Sequence, residues 1–230
     1  MTGLSKREVR RREIAAAALA VAARDGAEGA TLRAIAAEAG MAANAVLYYY
    51  GSLADITAAA VKASSDRLLE KLSEAVSADM SPTVRLAAVI RAGTTAGLDD
   101  DVSRILYEYW PHSLRDAEHR RIQGELTSAQ QLIYERVIAE GIEAGEFFPV
   151  LAPAKIARTL VAQEDGLVMD VLAGNASSDD VLDLIASLAA ALLGVDRDAL
   201  LDRNSETHRE GLGAGVPIID AGGAGKGAVG

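Results

Sequence analysis

Gln163, Glu164 and Asp165 interrupt a largely apolar stretch between Pro153 and Gly174. A carboxylate carried into an apolar interior must find a partner, because burying an uncompensated charge is strongly unfavourable. With Trp110 and the tyrosines, such an acid could accept a cationic ligand, the ring faces supplying cation–π attraction. In the competing reading Trp110 is core, and Glu164 or Asp165 pairs with an arginine or faces a subunit seam. His112, Asp116 and His119 form a second group, of residue types that ligate zinc. They straddle Pro111 and a gap between two helices, which argues against a metal site, and no metal or cofactor is expected. The third group is basic: Lys6, Arg7, Arg10, Arg11 and Arg12 lie close together near the N-terminus, suited to phosphate contact.

Composition removes several chemistries. Cysteine is absent, so there is no disulfide framework, thiolate metal site or cysteine nucleophile. Only three histidines occur, with no HExxH, phosphate-cradling glycine loop or nucleophile elbow. The expectation is a protein that is not an enzyme. No apolar run is long enough for a membrane span and the N-terminus does not resemble a signal peptide, so a cytoplasmic protein is expected. The net charge is −10, but residues 1–50 carry +2 and the remainder −12. Positive charge is confined to one end, and the acidic body would repel nucleic acid from elsewhere.

The elements that must position these groups read as helices throughout, in keeping with 50% hydrophobic residues, 4% aromatics and few prolines. The stretch TLRAIAAEAGMAANAVLYYYGSLADI, residues 31–56, predicts two short helices at a tight turn followed by the start of a third. Thr31 is a natural N-cap, Leu32, Ile35, Ala36 and Ala39 follow at helical spacing, and Gly40 stands where a left-handed residue would end the helix. A second short helix from Ala42 to about Tyr48 completes the shape of a helix-turn-helix. On periodicity alone an ordinary core hairpin fits equally well.

The register Thr31-Leu32-Arg33-x-Ile35-Ala36-x-x-Ala39-Gly40-Met41, then Tyr48-Tyr49-Tyr50-Gly51-Ser52, resembles the DNA-binding signature of TetR-type transcriptional regulators. It covers residues 10 to 60. Leu47 stands where that family most often has a phosphate-contacting tyrosine, and Leu53 where a lysine usually opens the fourth helix. The resemblance implies base contacts by Arg33 and Asn44, since arginine can clamp guanine and asparagine adenine. It implies close approach by Ala42 and Ala43, phosphate or ribose contact by Tyr48 and Tyr49, a helix-start phosphate site at Thr31, and phosphate contacts from Arg10 and Arg11. More loosely, LYEYWPHSLRDAEHRRIQGEL with the later EAGEF resembles the C-terminal domain of BetI-like members.

The resemblance thus implies an all-α protein of about nine helices. A DNA-binding domain would occupy residues 1–51 and a ligand-binding and dimerisation body 52–201, with a flexible glycine-rich tail over 202–230. Tyr107, Trp110, Tyr134, Gln163, Glu164 and Asp165 are the candidates for a small-molecule effector pocket. The last two long helices are more apolar than one buried face requires, so Leu167, Val171, Val181, Ile185, Leu188 and Leu192 are expected at a homodimer interface. The expected function is a ligand-responsive regulator, most simply a repressor, that binds a palindromic double-stranded DNA operator as a homodimer and leaves it when effector binds. The alternatives are a helical ligand-binding module with weakened DNA recognition and a small metal-dependent enzyme.

Overall fold

The computed structural model describes residues 5–77, 79–99 and 101–201; the expected glycine-rich tail, 202–230, lies outside them. Among the described residues ten α-helices occur in the order α1 (Lys6–Gly29), α2 (Leu32–Glu38), α3 (Ala43–Tyr50), α4 (Leu53–Glu74), α5 (Pro82–Asp99), α6 (Asp101–Glu108), α7 (Ala117–Glu143), α8 (Pro153–Leu172), α9 (Ser178–Leu193) and α10 (Arg197–Leu201). A 3₁₀ turn, Trp110–Leu114, joins α6 to α7. The short α10 is the element beyond the nine expected. Its Leu200 is fully buried in the larger core.

Local chemistry accounts for most of the boundaries. Ser5 and Glu8 form a reciprocal capping box at α1, and Ser177 and Asp180 form another at α9. Thr31, Ser52 and Asp116 cap α2, α4 and α7 through side-chain oxygens. Pro111 lacks an amide hydrogen and limits φ, so α6 ends at Glu108 and the chain continues as a 3₁₀ turn. The helix of α1 is broken at Gly26, whose φ of 76° and ψ of 173° are open essentially to glycine alone. After this break a single turn, residues 27–29, leads into the Thr31 cap of α2.

Two hydrophobic cores organise the molecule. The larger is built from Leu86 and Ile90 of α5, Tyr134 and Ile138 of α7, Ile156 and Leu160 of α8, and Val181 and Ile185 of α9. The other holds the helix-turn-helix together through Ile14, Val21, Ile35, Val46, Tyr50 and Ile56, and it also takes in Ile105, Leu106 and Tyr109 of α6 with Ile122 and Leu126 of α7. Helix α4 runs along both, and its Leu68 and Leu69 pack against each. The N-terminal unit therefore has no core of its own; it shares one with α6 and α7. Among the described residues, no helix is long and apolar enough to cross a membrane.

Candidate functional site

Helices α2 and α3 meet at a turn in which Gly40 takes φ +63° and the amide of Met41 donates to the carbonyl of Ala36 over 2.8 Å. Val46 and Tyr50 point into the core, which turns the opposite face of α3 outward. Thr31, Arg33, Ala42, Asn44 and Tyr48 are exposed; Ala43 and Tyr49 are half-buried. Tyr48 is 76% exposed and meets the Tyr49 ring edge-on, with centroids 5.4 Å apart. No side chain caps α3, because Ala42 occupies its N-cap. The early amides of the helix are thus left to solvent or to a phosphate oxygen.

The two N-terminal arginines separate. Arg10 is on the surface, paired with Glu13 at 2.6 Å. Arg11 is half-buried and turned toward α3: its guanidinium donates to the Tyr49 carbonyl over 2.9 Å and sits 4.2 Å above the Tyr50 ring, while the Tyr50 hydroxyl donates back to the Arg11 carbonyl over 2.8 Å. The expectation of a phosphate contact is corrected for Arg11. It clamps α1 to the end of α3, and a guanidinium engaged by a ring face and a carbonyl is poorly placed to reach outward.

Behind this unit, α6, α7 and α8 enclose the polar groups of the body. Glu164 is only 3% exposed and accepts a hydrogen bond from the Tyr134 hydroxyl. Asp165 accepts from the Tyr107 hydroxyl over 3.4 Å. The rings of Tyr107 and Trp110 stack nearly parallel, 6.3 Å apart. A small cavity of about 20 Å³, room for a water, is lined by Gly93, Tyr107, Trp110, Gln123, Gln130 and the two acids. Tyr107, Trp110 and Asp165 also border an open cleft of about 340 Å³ with Pro111, Gly166 and Met169. Burial pushes the Glu164 carboxyl up to about 8, despite the opposing Tyr134 hydrogen bond, and the neighbouring Asp165 charge adds to the rise. Burial likewise lifts Asp165 to about 6, partly offset by Tyr107.

The structure differs from the sequence expectations at several positions here. Neither acid pairs with an arginine among the described hydrogen bonds and ion pairs, and Trp110 is a half-buried cleft wall instead of core. Gln163 is exposed, because one residue along a helix turns a side chain by about 100°. It does not border the cleft and is withdrawn from the pocket set. Tyr134 reaches the pocket only through Glu164. Val181 and Ile185 are fully buried within the protomer, so their apolar surface belongs to the internal core and is withdrawn from the interface set. Leu167, Val171, Leu188 and Leu192 are half-buried at its edge, and the exposed apolar residues nearby are Leu184, Met169, Phe148, Val150 and Leu151. Gln123 and Gln130 of the lining carry no distinguishing pattern in the sequence; only their place on α7 opposite α8 shows them.

The histidine group does assemble, though in another role. His119 is 3% exposed, with Nδ1 2.9 Å from Asp116 and Nε2 3.5 Å from the Thr57 hydroxyl of α4. It stacks on Tyr109 at 6.0 Å and lies 5.5 Å from the His112 ring. The order Thr–His–Asp has the look of a nucleophile triad. However, the Thr57 hydroxyl donates to the Ala54 carbonyl within its own helix, inside a closed core, where no substrate can reach it. Among the described residues no three His, Cys, Asp or Glu side chains are spaced to hold a metal.

A helix-turn-helix with an outward face, sharing its core with a larger helical body that contains a polar pocket, is the architecture of a helix-turn-helix transcriptional regulator. Residues 14–60 match the family described as bacterial regulatory proteins, tetR family, and residues 82–194 match the BetI-type transcriptional repressor, C-terminal, domain. The chain belongs to the TetR family of transcriptional regulators and has a BetI-like C-terminal domain. Both family models, and the relatives described next, are those of transcriptional regulators, not enzymes. It is 26% identical over 184 residues to the HTH-type transcriptional regulator YfiR of Bacillus subtilis, spanning 79% of this chain and 89% of that one. Its fold resembles a transcriptional regulator of Saccharomonospora viridis solved in complex with choline, with a TM-score of 0.69, 23% identity, and 81% and 98% of the two chains covered. It also resembles the regulator FadR of Bacillus subtilis solved in complex with stearoyl-CoA, with a TM-score of 0.62, 23% identity, and 79% and 97% covered.

Proposed function

We propose that this protein is a cytoplasmic repressor that binds a palindromic operator as a homodimer and leaves it when a small organic cation enters the cleft between α6, the Pro111 turn and α8. Residues 1–51 read DNA, with Arg33 and Asn44 on base edges and Thr31, Ala42, Ala43, Tyr48, Tyr49 and Arg10 at the backbone or in close approach. Residues 52–201 bind ligand and pair the subunits through α8 and α9, with Leu167, Val171, Leu188 and Leu192 joined by the exposed Leu184. Twofold symmetry would set the two α3 helices about one turn of DNA apart, roughly 34 Å.

The observation that carries the ligand class is a buried and a half-buried carboxylate with no described cation beside them, next to the stacked Tyr107 and Trp110 rings. A cation there would favour the ionised form of the acids, which burial disfavours, and would face two aromatic rings. An anionic or acyl ligand would instead meet the acids. Calorimetry with choline and tetramethylammonium, against the neutral isostere 3,3-dimethylbutanol and a fatty acyl-CoA, tests the class. The two cations bind and the others do not; equal binding of the neutral isostere would overturn the cationic reading. A DNA sequence selected from a random duplex pool, with affinity falling steeply as salt rises, tests the operator reading.

A further inference from the structure

We propose that Glu108 is the coupling residue between pocket and DNA-binding unit, its carboxylate holding the amide of Ala27 at the break in α1 and so setting where α2 begins. The proposal rests on the reading of the protein as a ligand-responsive DNA binder and names the residue through which the two sites communicate.

Four successive residues, the last two of α6 and the two that follow it, divide their contacts between the two sites. Tyr107 and Trp110 stack on each other and border the cleft with Asp165. Tyr109, between them, packs into the helix-turn-helix core and stacks on His119, which reaches Thr57 of α4. Glu108 turns toward α1, where Oε2 accepts the Ala27 amide over 2.7 Å. The junction of α6 with the 3₁₀ turn thus faces the cleft with its first and fourth residues and the DNA-binding unit with its second and third.

The contact falls where α1 has no internal means of satisfying itself. The break at Gly26 starts a new helical turn, whose first amides have no carbonyl one turn back to donate to. A carboxylate at such a terminus makes a short, charge-assisted bond and meets the positive end of the peptide dipoles. The turn it anchors is brief: the amide of Ala30 donates to the Ala27 carbonyl, that of Thr31 to the Gly29 carbonyl, and Thr31 then caps α2. A displacement of Glu108 therefore reaches the start of α2 within four residues. A ligand that parts or tilts the Tyr107–Trp110 stack must move the same helical turn that carries Glu108. Arg104, one turn back, lies 3.7 Å from the other Glu108 oxygen and is itself exposed, so the carboxylate has an alternative partner when it leaves Ala27.

The test compares wild type with Glu108→Ala, Glu108→Gln, Trp110→Ala and the Glu108→Ala/Trp110→Ala double variant, in the full chain. Residue-resolved amide hydrogen exchange needs neither operator nor effector. Glu108→Ala is expected to speed exchange at Ala27 at least tenfold, and Glu108→Gln, which keeps an acceptor oxygen, to restore most of the protection. Trp110→Ala is expected to speed exchange at Ala27 in the wild-type background and to add less than twofold in Glu108→Ala. Operator affinity, on DNA selected from a random pool, should follow the same non-additive pattern. Unchanged exchange at Ala27 in Glu108→Ala would overturn the proposal. So would a Trp110→Ala effect of equal size in both backgrounds, since the bond would then be only a local cap. If no duplex is selected from the pool, the operator reading fails, while the exchange pattern still decides whether Glu108 couples the two sites. Should Glu108→Ala not fold, Glu108→Asp, whose carboxylate is one methylene too short to hold the Ala27 amide, is combined with Trp110→Ala in its place, and additive effects there would sink the coupling.

Discussion

The hydroxyl of Tyr134 on α7 donates to the carboxyl of Glu164 on α8, and both groups are buried. Gly93 of α5 closes the third side, so near that a Cβ added there would lie 3.1 Å from the Glu164 oxygens. The acid is thus enclosed by a phenol, a backbone and a neighbouring acid, and the cost of ionising it there gives the pocket a dependence on pH.

That dependence has a definite sign. The folded-state value of Glu164 is raised from 4.5 to about 8, so the folded protein holds a proton that the unfolded chain has lost between those limits. The stability linked to this group is fully present below about pH 4.5 and declines as pH rises toward 8, by at most about 1.4 kcal/mol per pH unit. Glu164→Gln does not titrate, so its stability relative to wild type should improve steadily from pH 5 to pH 8 in urea denaturation. A constant difference across that range would remove the buried, protonated acid from the account.

A cation entering the pocket favours the ionised acids, so binding should release protons. Affinity for choline or tetramethylammonium should increase from pH 6 to pH 8, by no more than about tenfold per unit for each proton released. Calorimetry in two buffers of different ionisation enthalpy would count the protons. Release of none would mean that Glu164 takes no part in binding.

The two N-terminal arginines should respond differently to alanine. Arg10→Ala should leave stability unchanged while lowering the salt slope of operator binding by about 0.9, the loss of one phosphate contact. Arg11→Ala removes a carbonyl bond and a ring contact within the fold, and about 1–2 kcal/mol of stability should go with them. Thermal denaturation beside salt-dependent titrations separates the two.

Arg33→Ala and Asn44→Ala should each relax base preference at one position of the half-site, by about 1–3 kcal/mol. Both side chains are exposed on the outer face of the helix-turn-helix. A binding titration over single-base operator variants measures this. Unchanged preference in both variants would move base reading elsewhere on α3.

Leu184 is 52% exposed in the protomer, so Leu184→Glu should leave the fold intact and shift the protein toward monomer in sedimentation. Ile185→Glu, one residue along, should instead unfold it, because Ile185 lies wholly within the protomer core.

Gly141 lies against the fully buried Phe147 ring, and a Cβ there would overlap it. Gly141→Ala should therefore destabilise by about 1–3 kcal/mol or more through overpacking, measurable as a lower urea midpoint. Gly124 faces open space, and its alanine variant should raise stability slightly, since it sits within α7.

The all-helical class, most helix boundaries and the helix-turn-helix were legible in the sequence, because they are encoded locally. Capping pairs such as Ser177 with Asp180, the Pro111 break and the apolar spacing of Leu32, Ile35, Ala36 and Ala39 act over one or two turns of chain. The same local signals identified Glu164 and Asp165 as acids out of place. What each side chain faces was decided only by the tertiary structure. Whether Arg10 or Arg11 points outward, Gln163 or Glu164 inward, and Leu184 or Ile185 toward a partner depends on which helix packs alongside. In each of these pairs the residues adjoin in sequence and differ by about 100° around the helix. The contact between Glu108 and Ala27 joins positions 81 apart. Neither residue has a local feature that points to the other, and only the shared core of α1 and α6 brings them together.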